Sequence, residues 1–297
     1  MKCISLSICI LLCNILLGQP TAVDSIPFTL TEHNNISIRA TVNGIDTLDL
    51  MFHTAVNSLS LTEEAVEGLS RLRLDGSVAV QTWGGESNAR YSNNHVLQIG
   101  KFQWDSVRIW VSKHSGRMTD GKFGPNLFEG SILELNFDHE VLVVHAELPE
   151  IDAGYEKLTM LNEQGLLFLE GSLNLGKLQF RNRFLLHSGY SGSVLLDDAF
   201  VSEHPALFDL PILKENQLKD SHGNVLTTKQ VQVPTLSFGG TSFSDVPVGF
   251  FEGAIGRQKM SVLGGDILKR FNIILDMENE SIYLIASTLK TGPYADS

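Results

Sequence analysis

Two segments of this chain follow the same pattern, and this repeat constrains the fold more than any other feature. The first, LDLMFHTAVNSLSLTEEA, contains His53-Thr54-Ala55, and the second, RNRFLLHSGYSGSVLLDDA, contains His187-Ser188-Gly189. In each, an apolar stretch runs into the triplet, and a short β-rich run and an acidic helix start follow. The two histidines are 134 residues apart (187 − 53). A chain with one copy of this pattern in each half is predicted to contain two copies of one structural unit.

The repeat extends well beyond the two triplets. Residues 97–109 align with residues 236–248, and residues 122–144 align with residues 262–284. The aligned positions of the second pair include Gly124 with Gly264, Asn126 with Asp266, Leu135 with Leu275, and Asn136 with Asp276. The connection between the copies is expected among the charged and turn-forming residues 146–165. We therefore predict a first lobe at residues 23–150 and a second lobe at residues 151–297.

Strand patterns dominate the sequence. Alternating or continuous apolar residues predict strands at residues 36–42, 48–52, 77–83, 107–111, 132–137 and 141–144. Helical patterns are short and are predicted at residues 62–72, 126–130, 196–203 and 266–270. Since no segment alternates strands with long helices, the predicted class is all-β with short helices.

The combination of these parts resembles the aspartic peptidases, both the two-lobed pepsin-like type and the single-lobed retroviral type. In that family each lobe has an apolar strand ending in Asp-Thr/Ser-Gly, and later two apolar residues and a glycine before a short helix. Here Phe52-His53-Thr54-Ala55 and Leu186-His187-Ser188-Gly189 match the first motif. Phe123-Gly124 and Leu263-Gly264 match the second. The resemblance implies a two-lobed pepsin-like fold, which is a duplicated acid-protease barrel.

The resemblance also implies a set of residues that contact a ligand. The family has a mobile hairpin, the flap, whose tip pairs an aromatic residue with glycine, and Trp83, Gly84 and Gly85 match this tip. Gly189 matches the glycine beside the catalytic pair. These four residues are the predicted substrate-binding positions.

Both catalytic aspartate positions of the family are occupied by histidine, at His53 and His187. The family's mechanism needs two close carboxyl groups that share one proton. An imidazole titrates near pH 6.5 and carries no negative charge, so standard aspartyl hydrolysis is expected to fail. Ala55 is a second departure, because the family has glycine there. Thr54 and Ser188 retain the hydroxyl groups that, by the resemblance, lock the two loops together.

Three functions are compatible with this sequence. The first is an exported protein that binds an extended peptide in the cleft between its lobes. The second is an active hydrolase that uses the His53/His187 pair with water or a metal, and the third is a non-catalytic interaction module of the cell envelope. A catalytic zinc site has three protein ligands, and the sequence indicates no third ligand, so no metal and no cofactor are predicted. The other histidines lie in polar, turn-like stretches and are expected to be solvated.

Composition and the N-terminus bear on partners and location. The chain has 22 basic and 34 acidic residues, and its Lys and Arg are not clustered, so nucleic acid is an unfavourable partner. Lys2 and the apolar residues 4–17 predict a signal peptide over residues 1–22. Fourteen residues (4–17) are few for a membrane span, so no transmembrane anchor is expected after the leader is removed. We expect a secreted or periplasmic bacterial protein without thiols, because all three cysteines lie in the leader.

Overall fold

The computed structural model describes residues 22–70, 72–82, 85–219, 225–251 and 258–295. Strands dominate it, as predicted. The first half contains β1 (Ala22–Pro27), β2 (Thr29–Leu30), β3 (Ile36–Val42), β4 (Asp46–Phe52), β5 (Leu59–Thr62), α1 (Glu63–Gly68), β6 (Gly76–Thr82), β7 (Gly85–Ile99), β8 (Phe102–Ser112), β9 (Gly121–Phe123), a 3₁₀ helix (Pro125–Phe128), β10 (Ile132–Asn136) and β11 (Val141–His145).

The second half repeats this order. It contains β12 (Glu156–Glu163), β13 (Leu166–Leu175), β14 (Leu178–His187), β15 (Val194–Leu195), α2 (Asp198–Glu203), a 3₁₀ helix (Pro205–Leu207), β16 (Ile212–Lys219), β17 (Val225–Phe238), β18 (Thr241–Phe251), β19 (Ser261–Gly264), α3 (Gly265–Leu268), β20 (Phe271–Asp276) and β21 (Ser281–Ala286).

Within the described residues the strands form two sheets. One has eight strands in the order β2-β3-β4-β9-β5-β8-β7-β6 and belongs to the first half. The other begins with β1-β11-β10-β20-β21-β12 and continues through the remaining strands of the second half. Strands of both halves therefore meet in one sheet, and the all-β, two-lobed fold class is confirmed.

The two copies meet at β10 and β20. These strands pair antiparallel, with Leu133 opposite Leu275 and Leu135 opposite Ile273. Because Leu135 and Leu275 are equivalent positions of the repeat, the pairing is related to itself by an approximate two-fold axis between the strands. The predicted boundary at residues 150/151 falls in the connection between β11 and β12, and it stays a prediction because the lobes share this sheet.

In each lobe the same strand arrangement positions the histidine triplet. β4 runs parallel to β9, with Phe52 beside Phe123, and β14 runs parallel to β19, with His187 beside Gly264. The neighbouring core is apolar, and the rings of Phe52 and Phe123 lie 5.6 Å apart in an edge-to-face contact. Each triplet loop therefore follows a strand that is paired with the glycine-containing strand of the same lobe.

The predicted helices form, although their bounds differ. Thr62 caps α1 by accepting a hydrogen bond from the Ala65 amide, but the helix ends at Gly68 rather than at Leu72. The segment predicted at residues 126–130 is a 3₁₀ helix. None of the helices in the described ranges is long and apolar enough to cross a bilayer.

Candidate functional site

His53 and His187 lie side by side at the junction of the two lobes. His53 follows β4 and His187 ends β14, and their ring centroids are 4.5 Å apart at an interplanar angle of 57°. His53 is 5 % exposed, whereas His187 is partly exposed. The two imidazoles, 134 residues apart in sequence, therefore form one deeply placed pair. Their functional role stays a prediction.

Four reciprocal hydrogen bonds join the two triplet loops. The Thr54 hydroxyl donates to the Leu186 carbonyl (2.6 Å), and the Ser188 hydroxyl donates to the Phe52 carbonyl (2.7 Å). Each hydroxyl also accepts a 3.0 Å bond from the backbone N–H of the other residue. Thr54 and Ser188 are 2 % and 1 % exposed, so these bonds satisfy buried groups and fix the two loops against each other.

The third residue of each triplet lies against the ring of His53. The Ala55 backbone N–H donates to His53 Nδ1 over 3.1 Å. Since Nδ1 accepts this bond, the neutral ring carries its proton on Nε2. A Cβ atom on Gly189 would collide with Cδ2 and Nε2 of His53, so glycine is required there by the close approach of the ring.

Both rings are neutral at neutral pH. Burial lowers the pKa of His187 to about 4, and the positive charge of Lys122 acts in the same direction. Burial also lowers the pKa of His53 well below its usual value, with further lowering by His187 and Lys122. Desolvation disfavours the charged imidazolium, and among the described residues no negative charge acts on either ring to offset it.

Lys122 is a residue of this site that the sequence analysis missed. It lies in the middle of β9, opposite Met51 of β4 and Ser60 of β5. The next residue, Phe123, accepts the His53 backbone N–H at 2.9 Å. Burial lowers the pKa of Lys122 to about 8, so the ammonium group is mostly protonated at neutral pH. The sequence repeat could have revealed this lysine, because Lys122 aligns with Val262 in an otherwise apolar strand.

Three buried polar side-chain atoms on the elements that carry the site lack a hydrogen-bond partner within the described residues. They are His187 Nδ1, Ser60 Oγ and Asn35 Oδ1. Asn35 is fully buried and its amide group donates to the Ser188 carbonyl at 3.1 Å. Unpaired buried polar atoms are few in native proteins, so the Nδ1 atom of His187 is a position where a bound polar group would gain a hydrogen bond.

The chemistry available to the pair differs from that of two carboxyl groups. His53 Nε2–H is a hydrogen-bond donor, and neither Nε2 has a hydrogen-bond partner among the residues that the structure describes. No group of three or more His, Cys, Asp or Glu side chains in the described ranges could hold a metal ion. The pair can therefore donate hydrogen bonds and accept a proton, but it supplies no anion.

Most of the predicted flap tip lies outside the residues that the structure describes. Trp83 and Gly84 lie outside the described residues, and Gly85 pairs with Thr82 at the start of the β6–β7 hairpin. The arms of this hairpin are in place, while the substrate-binding role of the three residues stays a prediction.

Two other histidines are buried, contrary to the expectation that they are solvated. His95 is 5 % exposed and lies between Asn43 and Ser92, whose side-chain atoms are 3.0 and 2.7 Å from its ring nitrogens. His145 is 7 % exposed, and its Nε2 is 2.9 Å from a carboxylate oxygen of Glu134. The expectation was wrong because these hydrogen-bond partners make burial tolerable, and Asn43 and Glu134 become neighbours of the two rings only in the folded chain.

Comparison with known proteins supports the same architecture. Residues 38–127 match the family model described as aspartyl protease. The fold is similar to the crystal structure of the aspartic proteinase from Irpex lacteus, with a TM-score of 0.59, 13 % sequence identity, and coverage of 91 % of this chain and 98 % of that one. No curated protein matches the sequence. This chain therefore has the two-lobed, pepsin-like fold of the aspartic peptidases.

Proposed function

We propose that this protein binds an extended peptide in the cleft between its lobes and does not cleave it by the aspartyl mechanism. The observation that carries the proposal is the pair of neutral imidazoles, 4.5 Å apart, at the junction of the two triplet loops. By the resemblance, this is where the family places its two carboxyl groups.

The aspartyl mechanism requires one carboxylate to take a proton from water and one carboxylic acid to polarise the peptide carbonyl. His53 and His187 hold no negative charge, and the pKa of about 4 at His187 makes it a weak base at neutral pH. The positive charge of Lys122 opposes protonation of both rings. The described site thus lacks the anion that activates water.

Peptide binding is supported by the parts that remain. The reciprocal hydrogen bonds of Thr54 and Ser188 still hold the two loops together, although no aspartyl dyad requires it. An extended peptide can bind such a cleft by hydrogen bonds to strand backbone, with side-chain pockets providing selectivity. The pair of rings would then form the floor of the cleft.

One assay separates this proposal from the alternative of an active hydrolase. The purified protein is incubated with a mixed peptide library between pH 3 and 8, with and without zinc, and cleavage is followed by mass spectrometry. We expect no cleavage. Cleavage that is lost in His53→Ala and His187→Ala, and retained in the control His139→Ala, would overturn the proposal. His139 is exposed, so it controls for the loss of a histidine elsewhere.

A gain of activity provides the complementary test. The variant His53→Asp/His187→Asp/Ala55→Gly restores the family motifs, and Lys122→Val copies the equivalent Val262. We expect acid peptidase activity only when Lys122 is also replaced, because a nearby ammonium group favours two ionised carboxylates over a shared proton. The readout is cleavage of the same library at pH 3–5.

Export is a separate proposal. It rests on the apolar segment after Lys2, which lies outside the described residues. N-terminal sequencing of the protein from the periplasm or medium of an expressing bacterium tests it, with cleavage after Ala22 as the expected result. If the protein is exported but binds no peptide, the cell-envelope interaction module becomes the favoured function.

A further inference from the structure

We propose that the ligand in the cleft places a carboxylate group against the Nε2 atoms of His53 and His187. This inference rests on the proposed function, and it adds the chemical class of the group recognised at the centre of the cleft. The carboxylate can belong to the C-terminus of a peptide or to an acidic side chain.

The first argument is the placement of charge. Lys122 lies opposite Met51 in the neighbouring parallel strand, and side chains two residues apart share one face of a sheet, so Lys122 and His53 are on the same face. Among the described residues, the charge that acts on both neutral rings is the positive charge of Lys122. The described site therefore carries a positive charge beside its two rings, in a chain with a net charge of −12. This polarity favours an anion over a cation or a neutral group.

The second argument is hydrogen bonding. His53 is held by the Ala55 amide in the tautomer that directs an N–H from Nε2, and this N–H has no acceptor within the described residues. A carboxylate has two acceptor oxygens and can take an N–H bond from each ring. Hydrogen bonds to an ionised acceptor are about twice as strong as neutral ones, which favours a carboxylate over a peptide carbonyl.

The third argument concerns the pKa of the two rings, which burial lowers and a bound carboxylate would raise. An anion within hydrogen-bond distance favours the imidazolium form, so binding would raise the pKa of His53 or His187. Binding of a carboxylate at this place therefore takes up a proton near pH 6. Binding of the same carboxylate elsewhere on the surface does not, which gives the inference its own readout.

The test uses three random decapeptide mixtures that carry an uncharged fluorophore at the N-terminus. The first lacks Asp and Glu and has a free C-terminal carboxylate, the second is the same mixture with a C-terminal amide, and the third is amidated with one central Glu. Fluorescence anisotropy at pH 6 measures the affinity of the purified protein for each. We expect the first or the third mixture to bind about ten-fold more tightly than the second, and the preferred one identifies the source of the carboxylate.

Two variants and a calorimetric measurement locate the carboxylate. We expect Lys122→Met to remove the ten-fold preference, and the control Lys113→Met, an exposed lysine of the same lobe, to retain it. Calorimetry of the wild-type protein in buffers of different ionisation enthalpy is expected to show uptake of a proton on binding. The calorimetric arm needs no variant, so it stays decisive if Lys122→Met does not fold.

The outcomes distinguish the two proposals. Equal binding of the three mixtures would overturn the carboxylate inference and leave the proposed function standing. Carboxylate-dependent binding without proton uptake would also overturn the inference, because it would place the anion away from the rings. If no mixture binds, the proposed function itself fails.

Discussion

The two triplet loops are held in the same way but stand in different surroundings. In each, a hydroxyl bonds to the carbonyl that precedes the opposite histidine. In the first lobe, Lys122 of β9 pairs with Ser60 of β5, and both residues are polar. At the equivalent positions of the second lobe, Val262 and Leu195 pack with Phe251 in an apolar cluster. A duplicated backbone thus supports a basic half and an apolar half of one site, and on these paired strands the asymmetry lies in the side chains.

The segments that follow the glycine strands differ in a second way. In the first lobe the 3₁₀ helix is followed by Gly130 in the left-handed region (φ +76°). Its equivalent in the second lobe is Arg270, which is 1 % exposed and donates to the carbonyls of Lys290, Gly292 and Pro293. It also lies 3.4 Å from Asp266. In the second lobe, Arg270 therefore binds the C-terminal segment to the core. The first lobe instead carries the positive charge of Lys122 beside the site.

The largest expected effect is the loss of this C-terminal fastening. Arg270→Met leaves Asp266 buried with fewer partners and several carbonyls without donors, which is expected to lower the free energy of unfolding by about 3–5 kcal/mol. Urea denaturation measures it. The control Arg181→Met changes an exposed arginine and should stay within about 0.5 kcal/mol. Equal stability of the two variants would contradict the contrast drawn between the lobes.

The second prediction concerns pH. The unfolded chain binds a proton at His187 near pH 6.5, whereas the folded chain binds it near pH 4. Folding then excludes a proton between these values, so stability rises with pH and falls by about 3 kcal/mol as the pH drops from 7 to 4. His53 acts in the same direction.

Urea denaturation of His187→Gln across this pH window tests the prediction. The variant should lose most of the His187 contribution, and the exposed control His139→Gln should keep the wild-type slope. A wild-type stability that is flat, or that increases toward pH 4, would show that the rings are not held neutral.

The third prediction tests whether the hydroxyls of Thr54 and Ser188 act in one hydrogen-bond network. Thr54→Val and Ser188→Ala each leave one buried amide and one carbonyl without a partner, at a cost of about 2 kcal/mol. The double variant should lose less than the sum, because the two residues act in one network. Thr29→Val, at an exposed position, is the control. Strict additivity in denaturation experiments would mean that the loops are held independently.

The smallest expected effects compare the third residues of the triplets. Gly189→Ala places a Cβ against the His53 ring and is expected to destabilise the protein by about 1–3 kcal/mol. Ala55→Gly keeps the backbone N–H that bonds to His53 and is expected to change stability by at most about 1 kcal/mol. Imidazole NMR of both variants adds a second measurement, since only Gly189→Ala should shift the His53 signals strongly. The reverse order would refute the assigned packing.

Local patterns predict the strands well because the alternation of apolar and polar residues matches the two faces of a sheet. They predict the ends of helices less well. The spacing of Leu69 and Leu72 suggested a helix to residue 72, but both side chains pack against the core from a chain that has left the helix after Gly68. Both leucines face the core, as the pattern indicates. Only the helical backbone predicted beyond Gly68 was wrong.

The position of Lys122 shows where sequence reasoning ended. A lysine within an apolar strand is visible in the sequence, yet its effect on His187 requires β9 to lie beside β4 and the two lobes to face each other. Burial of His95 and His145 was missed for the same reason, since their partners become neighbours only after folding.

The sequence by itself determined the duplicated all-β architecture, the two triplets and the absence of aspartate from both. These follow from periodicity and spacing, which act over a few residues or recur in both halves. Only the tertiary structure decided that the two imidazoles share one place, which nitrogen of His53 carries the proton, and that Lys122 acts on both rings. The pKa of a buried ring depends on desolvation and on neighbouring charges, and residues 53, 122 and 187 become neighbours only in the folded chain.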